Sequence, residues 1–379
     1  MPAQAVTLDT SLSDPIAALR RVGGVRENRR VRNLAIGVAL GGAAAVVAVA
    51  APRVVDTFGH ALVRALHADP AFVIGGIGLE LLSFVGYIAL FWHVAGRSSS
   101  RLGLRASAEI SLAGTAATRL LPTAGAGGAA LTFWSLRRAG QDNRTATRTL
   151  LSFLVILYSV FLGAIAIGGT VLASTGTVPF ELSAVPAAAA SAAIALALIF
   201  ALRHRPADDM PAGRLRTVSH AVGGGVREAL AIVRRPDGRL AGALAWWGSD
   251  MLVLWATFSA FGAPPAAGVL VLGYFLGQVA NTVPLPGAAS GGMVAIFLAF
   301  GMPAEIVLPA VLAYRAIAIW TPVPAGAAAL AGLRRRVRAW AHEDGVEVGP
   351  AAEAAVIPLP TRIPAPVPAA AHDAVPLAA

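Results

Sequence analysis

Four ionisable side chains lie inside apolar stretches of the sequence, where a charge requires either an ion-pair partner or a functional role. Glu80 and Asp250 lie near the middle of two apolar runs, and Arg119 and Arg315 lie in two others. An isolated charge at the centre of a bilayer costs about 2.5–3.5 kcal/mol on insertion scales. The planar guanidinium fork of arginine binds phosphate oxygens in pairs. We therefore expect Arg119 and Arg315 to face a polar cavity and to bind a substrate anion such as a lipid phosphate.

The two acids admit two roles. In the functional interpretation, Glu80 and Asp250 hold the arginines in place or take up protons during turnover. In the alternative, the four side chains form two structural ion pairs that hold a helix bundle together. Glu80 and Asp250 occupy similar places in their two apolar runs, which predicts related surroundings for both.

Two proline- and glycine-rich stretches interrupt the apolar runs, LLPTAGAGG at 120–128 and NTVPLPGAASGG at 281–292. Proline removes an amide donor and glycine is entropically costly in a helix, so neither stretch can continue a regular helix. Irregular backbone at membrane depth is tolerated where it is buried in protein or lines a cavity. Helices restarting after Gly128 and Gly292 would point their positive N-terminal ends at an anion. The two stretches add candidate substrate-binding residues: Pro122, Gly125, Gly128, Asn281, Pro284, Pro286 and Gly287.

The composition is that of a membrane protein with several crossings. Of the 379 residues, 13% are charged and 56% are hydrophobic, whereas a soluble domain carries about 25% charged residues. The net charge of +10 comes from thirty arginines clustered between the apolar runs, which indicates cytoplasmic loops and not nucleic-acid binding. The sequence has no cysteine and no cluster with metal-ligand spacing, so we expect no cofactor and no metal.

The apolar runs predict an all-α polytopic membrane protein with six transmembrane helices, since about twenty apolar residues cross a bilayer. Arginine clusters flank region 106–136 on both sides and are missing around 268–301. Both regions are therefore predicted to be re-entrant helical hairpins that enter the membrane from opposite faces. The same charge pattern places the protein in the cytoplasmic membrane with both termini in the cytoplasm. The predicted crossings are 34–51, 70–95, 150–173, 184–202, 240–261 and 304–333.

The order of crossings and breaks occurs twice along the chain. The halves 33–173 and 184–333 each contain two crossings, a broken hairpin and a further crossing, and Gly125 aligns with Gly287 in the breaks. A unit with three crossings must reappear upside down, which is the inverted repeat of many transporters. The expected domains are a basic cytoplasmic segment at 1–32, a membrane domain at 33–335 and a disordered cytoplasmic tail at 336–379.

Several other features are interpreted as structural. Residues 214–235 predict a surface helix that is interrupted at 223–225, between cytoplasmic arginines. His93 lies close to the inner membrane interface and is interpreted as a packing residue. The aromatic side chains of the apolar runs are assigned to packing or to the membrane interface: Tyr158, Trp246, Trp247, Tyr314 and Trp320.

Five short motifs follow one another in a defined order along the chain, two in the first half and three in the second. They are RLLPTAGAGG at 119–128, LRRAG at 136–140, VPLPGAASGG at 283–292, LAFGMP at 298–303 and AVLAYRAIAIWTP at 310–322. In these motifs the chain resembles the lysylphosphatidylglycerol synthase transmembrane-region family of flippase-like membrane proteins, over roughly residues 30–335. The resemblance implies an integral membrane protein that moves or binds lipids.

Two functions follow as hypotheses. The first is a flippase-like protein that translocates or binds a phospholipid or a polyprenyl lipid. The second is a non-transporting partner that supplies lipid to a separate membrane-associated glycosyltransferase or aminoacyltransferase. The sequence contains no GxSxG or Walker motif and only a short tail after the last crossing, so we expect no enzyme activity in this chain. Membrane lipids are the expected binding partners.

Overall fold

The chain is helical throughout the part that the structure, a computed structural model, describes. The described residues are 69–120, 125–203, 214–235, 237–262, 264–283 and 287–345. None of them lies in a strand, which confirms the predicted all-α class for these ranges. Two short 3-10 helices, Gly238–Ala241 and Ala280–Thr282, accompany the α-helices. In chain order these are α1 Pro70–Ala95, α2 Leu104–Leu120, α3 Ala126–Arg138, α4 Asn143–Thr175, α5 Phe180–Arg203, α6 Arg214–Val233, α7 Gly242–Ala260, α8 Ala267–Val279, α9 Ala288–Ala299, α10 Ala304–Trp320 and α11 Pro322–Glu343.

Four stretches of helix are long and apolar enough to cross a membrane. They are α1, α4, α5 and the consecutive pair α10 and α11, Ala304–Glu343. The predicted crossing at 240–261 is also helical, but α7 is not among these four stretches. The predicted crossing at 34–51, the segment 1–32 and the tail from 346 onward lie outside the described residues. The four stretches support a multi-pass membrane protein.

Both proline–glycine breaks connect two helices that pack against each other as an antiparallel hairpin. In the first hairpin, α2 and α3 approach so closely that a Cβ atom on Gly114 would lie 3.1 Å from the Thr132 hydroxyl. In the second, a Cβ atom on Gly277 of α8 would lie 3.0 Å from the Cβ of Met293 on α9. Small residues therefore set the spacing between the arms in both hairpins.

A left-handed glycine precedes the second arm of each hairpin. Gly125 has a φ of 85° and Gly287 a φ of 78°, a conformation that favours glycine. The two aligned glycines thus have the same backbone conformation. The expectation that the second arms restart after Gly128 and Gly292 is wrong, because α3 and α9 begin directly after the left-handed glycines. Gly128 and Gly292 lie inside the arms, at points of close contact with the first arms.

The two sequence halves pack on each other along α1 and α7. A Cβ atom on Gly86 of α1 would lie 2.8 Å from the carbonyl oxygen of Gly242 on α7. The Ser83 hydroxyl donates to the backbone carbonyl of Trp246 at 3.0 Å. Glycine at the crossing lets the two backbones approach, which is typical of helix packing in membranes.

The last helices of each half pack on the first hairpin arm of the other half. A Cβ atom on Gly168 of α4 would lie 3.6 Å from the Cβ of Val271 on α8. One on Gly326 of α11 would lie 3.2 Å from the Leu112 carbonyl oxygen on α2. Each hairpin is thereby held between its own half and the other half.

Two helices differ from the sequence prediction. The predicted interruption at 223–225 is wrong, since α6 continues through these residues. A Cβ atom on Gly225 would lie 2.6 Å from the Cβ of Leu151, so this glycine serves close packing of α6 on α4. The crossing predicted at 304–333 is helical as α10 and α11, which follow each other without a loop because Thr321 keeps helical angles (φ −61°, ψ −47°), and α11 continues beyond the predicted end to Glu343.

Candidate functional site

A buried cluster of charged side chains joins α1, α2 and α7. Arg119, in the last turn of α2, donates from Nη1 to Oε1 of Glu80 at 2.6 Å. Its Nη2 lies 3.9 Å from Oδ1 of Asp250. The Glu80 and Asp250 side chains are 0% and 4% exposed, and that of Arg119 is 16% exposed. Instead of forming two separate ion pairs, both acids adjoin the same arginine.

Two tyrosines complete the surroundings of Asp250. The Tyr314 hydroxyl donates to Oδ2 of Asp250 at 2.7 Å, and the Tyr274 hydroxyl donates to the same oxygen. Gln278 in turn donates from Nε2 to the Tyr314 hydroxyl at 3.2 Å. Because both tyrosines use Oδ2, the other carboxylate oxygen is left facing Arg119, and it makes no hydrogen bond within the described residues.

Aromatic rings fix the guanidinium of Arg119 from its flanks. Its Cζ lies 5.4 Å from the ring centroid of Phe84 and 5.6 Å from that of Trp246. A cation over an aromatic face gains about 0.5–2 kcal/mol, more where water is excluded. The rings and the acids together hold Arg119 in one orientation.

The cluster contains more acid than base. With both carboxylates ionised, Glu80, Asp250 and Arg119 sum to a charge of −1. An uncompensated buried charge is costly, so the excess is removed by a bound proton or balanced by a further cation. A second oxygen of Glu80, Oε2, also makes no hydrogen bond within the described part of the chain. That oxygen is available to carry such a proton.

A cavity of about 490 Å³ opens beside this cluster. Residues from both breaks line it: Gly125 and Gly128 from the first, Asn281 and Gly287 from the second. The two breaks therefore meet at one space. Its volume is within the range of about 300–1,000 Å³ that is typical of small-molecule sites.

The cavity has one apolar wall and one polar wall. The apolar wall is formed chiefly by α4, through Leu150, Leu154 and Leu157. Hydroxyls, amides and charges make up the polar lining: Thr115, Thr118, Arg119, Thr132, Asp250, Gln278, Asn281, Ser290, Tyr314 and Arg315. Such a division suits an amphiphilic ligand.

Arg315 is the cavity-lining cation with unused donors. Its Nε donates to the Ser290 hydroxyl at 3.1 Å, and its Cζ lies 5.7 Å from the Tyr314 ring centroid. Among the described residues no carboxylate lies within ion-pair distance of Arg315, and its two terminal nitrogens make no hydrogen bond. The terminal nitrogens are therefore free to bind an anion in the cavity.

The structure brings most of the candidate residues to this one place. Arg119, Arg315, Asp250, Gly125, Gly128, Asn281 and Gly287 line the cavity. Glu80 does not line it and lies behind Arg119 as the partner of that arginine. Pro122, Pro284 and Pro286 lie outside the described residues.

Sequence reasoning missed the polar role of several side chains. Tyr314 and Trp246, interpreted there as packing aromatics, contact Asp250 and Arg119 instead. The spacing of Tyr274 and Gln278 could have indicated a polar site, since the two lie four residues apart and so share one face of α8. Among the described residues there is no group of three side chains suited to a metal ion.

The chain matches a known protein family. The sequence profile of the family described as Lysylphosphatidylglycerol synthase TM region matches residues 34–326. The matched range is more than half of the chain and includes every residue that lines the cavity. Neither a curated protein nor a solved structure gives a significant match.

Proposed function

Because the chain belongs to the lysylphosphatidylglycerol synthase transmembrane-region family, we propose that it is a flippase-like protein that translocates the head group of a phospholipid or polyprenyl lipid across the cytoplasmic membrane. The observation that carries the proposal is that Arg315, whose two terminal nitrogens make no hydrogen bond within the described residues, lines a cavity bounded by both hairpin tips. Its two terminal nitrogens form a planar pair of donors, which fits two oxygens of a lipid phosphate.

The two walls of the cavity support an amphiphile as the ligand. In this proposal the phosphate contacts Arg315 and the polar wall, and the first carbons of the acyl or prenyl chains lie on the leucines of α4. The cavity volume of about 490 Å³ accommodates a head group while the rest of the lipid remains in the bilayer. Arg119 lines the same cavity, but Glu80 and Asp250 already offset its charge, so Arg315 is the cation that contacts the phosphate.

The membrane arrangement is part of the proposal. Six crossings and two oppositely oriented re-entrant hairpins, related as an inverted repeat with both termini in the cytoplasm, would bring the hairpin tips together near the bilayer midplane. The shared left-handed glycines and the exchange of packing partners between the halves support this arrangement. A translocation path between the two hairpins would then be open to either side in turn.

Transport by reconstituted protein tests the proposal. Liposomes containing the full chain and head-group-labelled phosphatidylglycerol, or a labelled polyprenyl-phosphate sugar, are treated with an impermeant quencher. We expect Arg315→Gln to slow head-group movement at least about tenfold, since a charge-assisted hydrogen bond contributes roughly 1.5–3 kcal/mol. Arg144→Gln, an exposed arginine of α4 outside the cavity, is the matched control and should transport at the original rate.

The outcomes separate the alternatives. Unchanged transport by Arg315→Gln would remove this arginine from the site. If no lipid moves faster than in protein-free vesicles, transport is not the function. Tight binding of a labelled lipid without movement would instead favour a non-transporting partner of a membrane-associated transferase.

A further inference from the structure

A second cavity, of about 270 Å³, lies where α1 ends and the 3-10 helix before α7 begins. It shares no lining residue with the larger cavity, so it is a separate site. Three arginines line it, Arg97, Arg235 and Arg239, against one carboxylate, Asp237. The larger cavity and its proposed lipid transport leave these residues unexplained.

The carboxylate in this cavity, that of Asp237, is already paired with an arginine. Arg239 donates to both oxygens of Asp237, from Nε at 3.0 Å and from Nη2 at 2.7 Å. These hydrogen bonds hold the pKa of the Asp237 carboxyl well below its usual value. Arg97 and Arg235 are exposed at the cavity and have no ion-pair partner among the described residues. Two positive charges therefore remain unbalanced at this site within the part of the chain that the structure describes.

His93 is buried at the cavity with unsatisfied nitrogens. The residue is 4% exposed, and neither ring nitrogen makes a hydrogen bond within the described residues. Nδ1 lies 3.3 Å from Oδ2 of Asp237, but not in hydrogen-bonding geometry. A buried ring that can donate a proton, beside unpaired guanidiniums, needs an acceptor such as an anionic oxygen. The packing role expected for His93 does not supply such an acceptor.

We propose that this cavity binds a phosphate group, as the head group of an anionic phospholipid in the adjacent leaflet. The site lies at an arginine-bearing helix end next to Trp92, whose ring centroid is 4.8 Å from Cζ of Arg239. Tryptophan and arginine at helix ends are typical of the membrane interface, where lipid phosphates lie. Basic pockets between helices at this depth suit anionic lipid head groups. A soluble phosphate ion offers the same oxygens and is the other source of this chemistry.

The test uses the full chain in detergent and two ligands. Phosphatidylglycerol is titrated and its binding followed by native mass spectrometry, and inorganic phosphate is titrated separately by calorimetry. Arg97→Gln combined with Arg235→Gln is compared with Arg144→Gln combined with Arg334→Gln, exposed arginines that change the net charge equally. Both pairs are made in the Arg315→Gln chain, so that lipid held in the larger cavity does not mask the result.

We expect the first pair to weaken phosphatidylglycerol binding at least about tenfold and the control pair to leave it unchanged within about twofold, given the contribution of each arginine near an anionic lipid. A loss confined to the inorganic phosphate arm would assign the same site to a soluble phosphate. Equal binding by both pairs in both arms would overturn the site. Thermal unfolding of both pairs identifies any effect of misfolding.

Discussion

At the scale of single residues, the cluster around Arg119 sets two buried carboxylates against one guanidinium. Removing a partner from a buried ion pair leaves an uncompensated charge, whereas removing a surplus charge does not. Loss of Glu80 or Asp250 should therefore lower the free energy of unfolding less than loss of Arg119 does. Either acid alone balances the arginine, but the arginine is the only cation within ion-pair distance of either acid among the described residues.

We predict that Arg119→Gln destabilises the protein by about 3–5 kcal/mol, because it leaves two buried carboxylates without a cation. Glu80→Gln should cost less than about 2 kcal/mol, since Asp250 still balances Arg119 and glutamine still offers an acceptor. Thermal unfolding in detergent, followed by tryptophan fluorescence, measures both. The double variant Glu80→Gln with Arg119→Gln should lose less free energy of unfolding than the two single variants lose when their losses are added. An equal loss in the two single variants would contradict this view of the charges.

The sequence identifies the charged members of the site but not their pairing. Glu80, Asp250 and Arg315 are conspicuous because ionisable residues are rare in apolar runs. Tyr314 is not, because a tyrosine suits a core, an interface or a site equally well. The assignment of both acids to Arg119 depends on how α1 and α7 are rotated about their axes. That rotation is set by close packing around Gly86, which composition does not reveal.

At the scale of elements, each hairpin depends on glycine for two different reasons. Gly125 and Gly287 supply a left-handed backbone at the tips. Gly128 supplies room, because a Cβ atom there would overlap the Thr118 hydroxyl and the Gly114 carbonyl oxygen. The close packing at Gly128 sets the spacing of the two arms, and this spacing in turn shapes the cavity between the hairpins.

We predict that Gly128→Ala lowers the free energy of unfolding by about 1–3 kcal/mol, as overpacking does in other tightly packed cores. Gly291→Ala is the matched control, since a Cβ atom at Gly291 would meet no atom within 4 Å. Alanine is the better helix former, so this control should be neutral or slightly stabilising. Thermal unfolding of the two variants in the same detergent checks the difference. If both variants unfold alike, close packing at Gly128 is not what holds the hairpin.

The positions of the hairpin tips follow from the sequence, because proline and glycine cannot continue a helix. The start of the second arms does not. Gly128 resembles Gly125 in sequence, and only the backbone angles show which of them turns the chain and which packs.

At the scale of the whole molecule, the two sequence halves exchange contacts. The last helices of each half pack on the hairpin of the other, and α1 packs along α7. Towards the end of α11, Arg336 donates to Glu109 of α2 at 2.6 and 3.0 Å. The cavity walls consequently come from both halves, and neither half encloses the cavity by itself.

A disulfide tests the packing of α4 on α8. The chain has no cysteine, so an introduced pair has no competitor. A Cβ atom at Gly168 would lie 3.6 Å from that of Val271, within the range of about 3.5–4.5 Å of real disulfides. We predict that Gly168→Cys with Val271→Cys forms an intramolecular bond on mild oxidation in membranes, detected by peptide mass spectrometry. Gly163→Cys with Val271→Cys should not, because a Cβ atom at Gly163 meets no atom within 4 Å. Bond formation in both pairs, or in neither, would contradict the packing.

The arrangement of the charged cluster also bears on the order of synthesis. Glu80 is synthesised first and Arg119 follows 39 residues later, so these two can pair before the second half has been made. Asp250 then arrives beside an arginine that is already in place. Its tyrosine partners come 24 and 64 residues after it. The second acid of the cluster is thus made after the arginine, and the two tyrosines that donate to this acid are made after it.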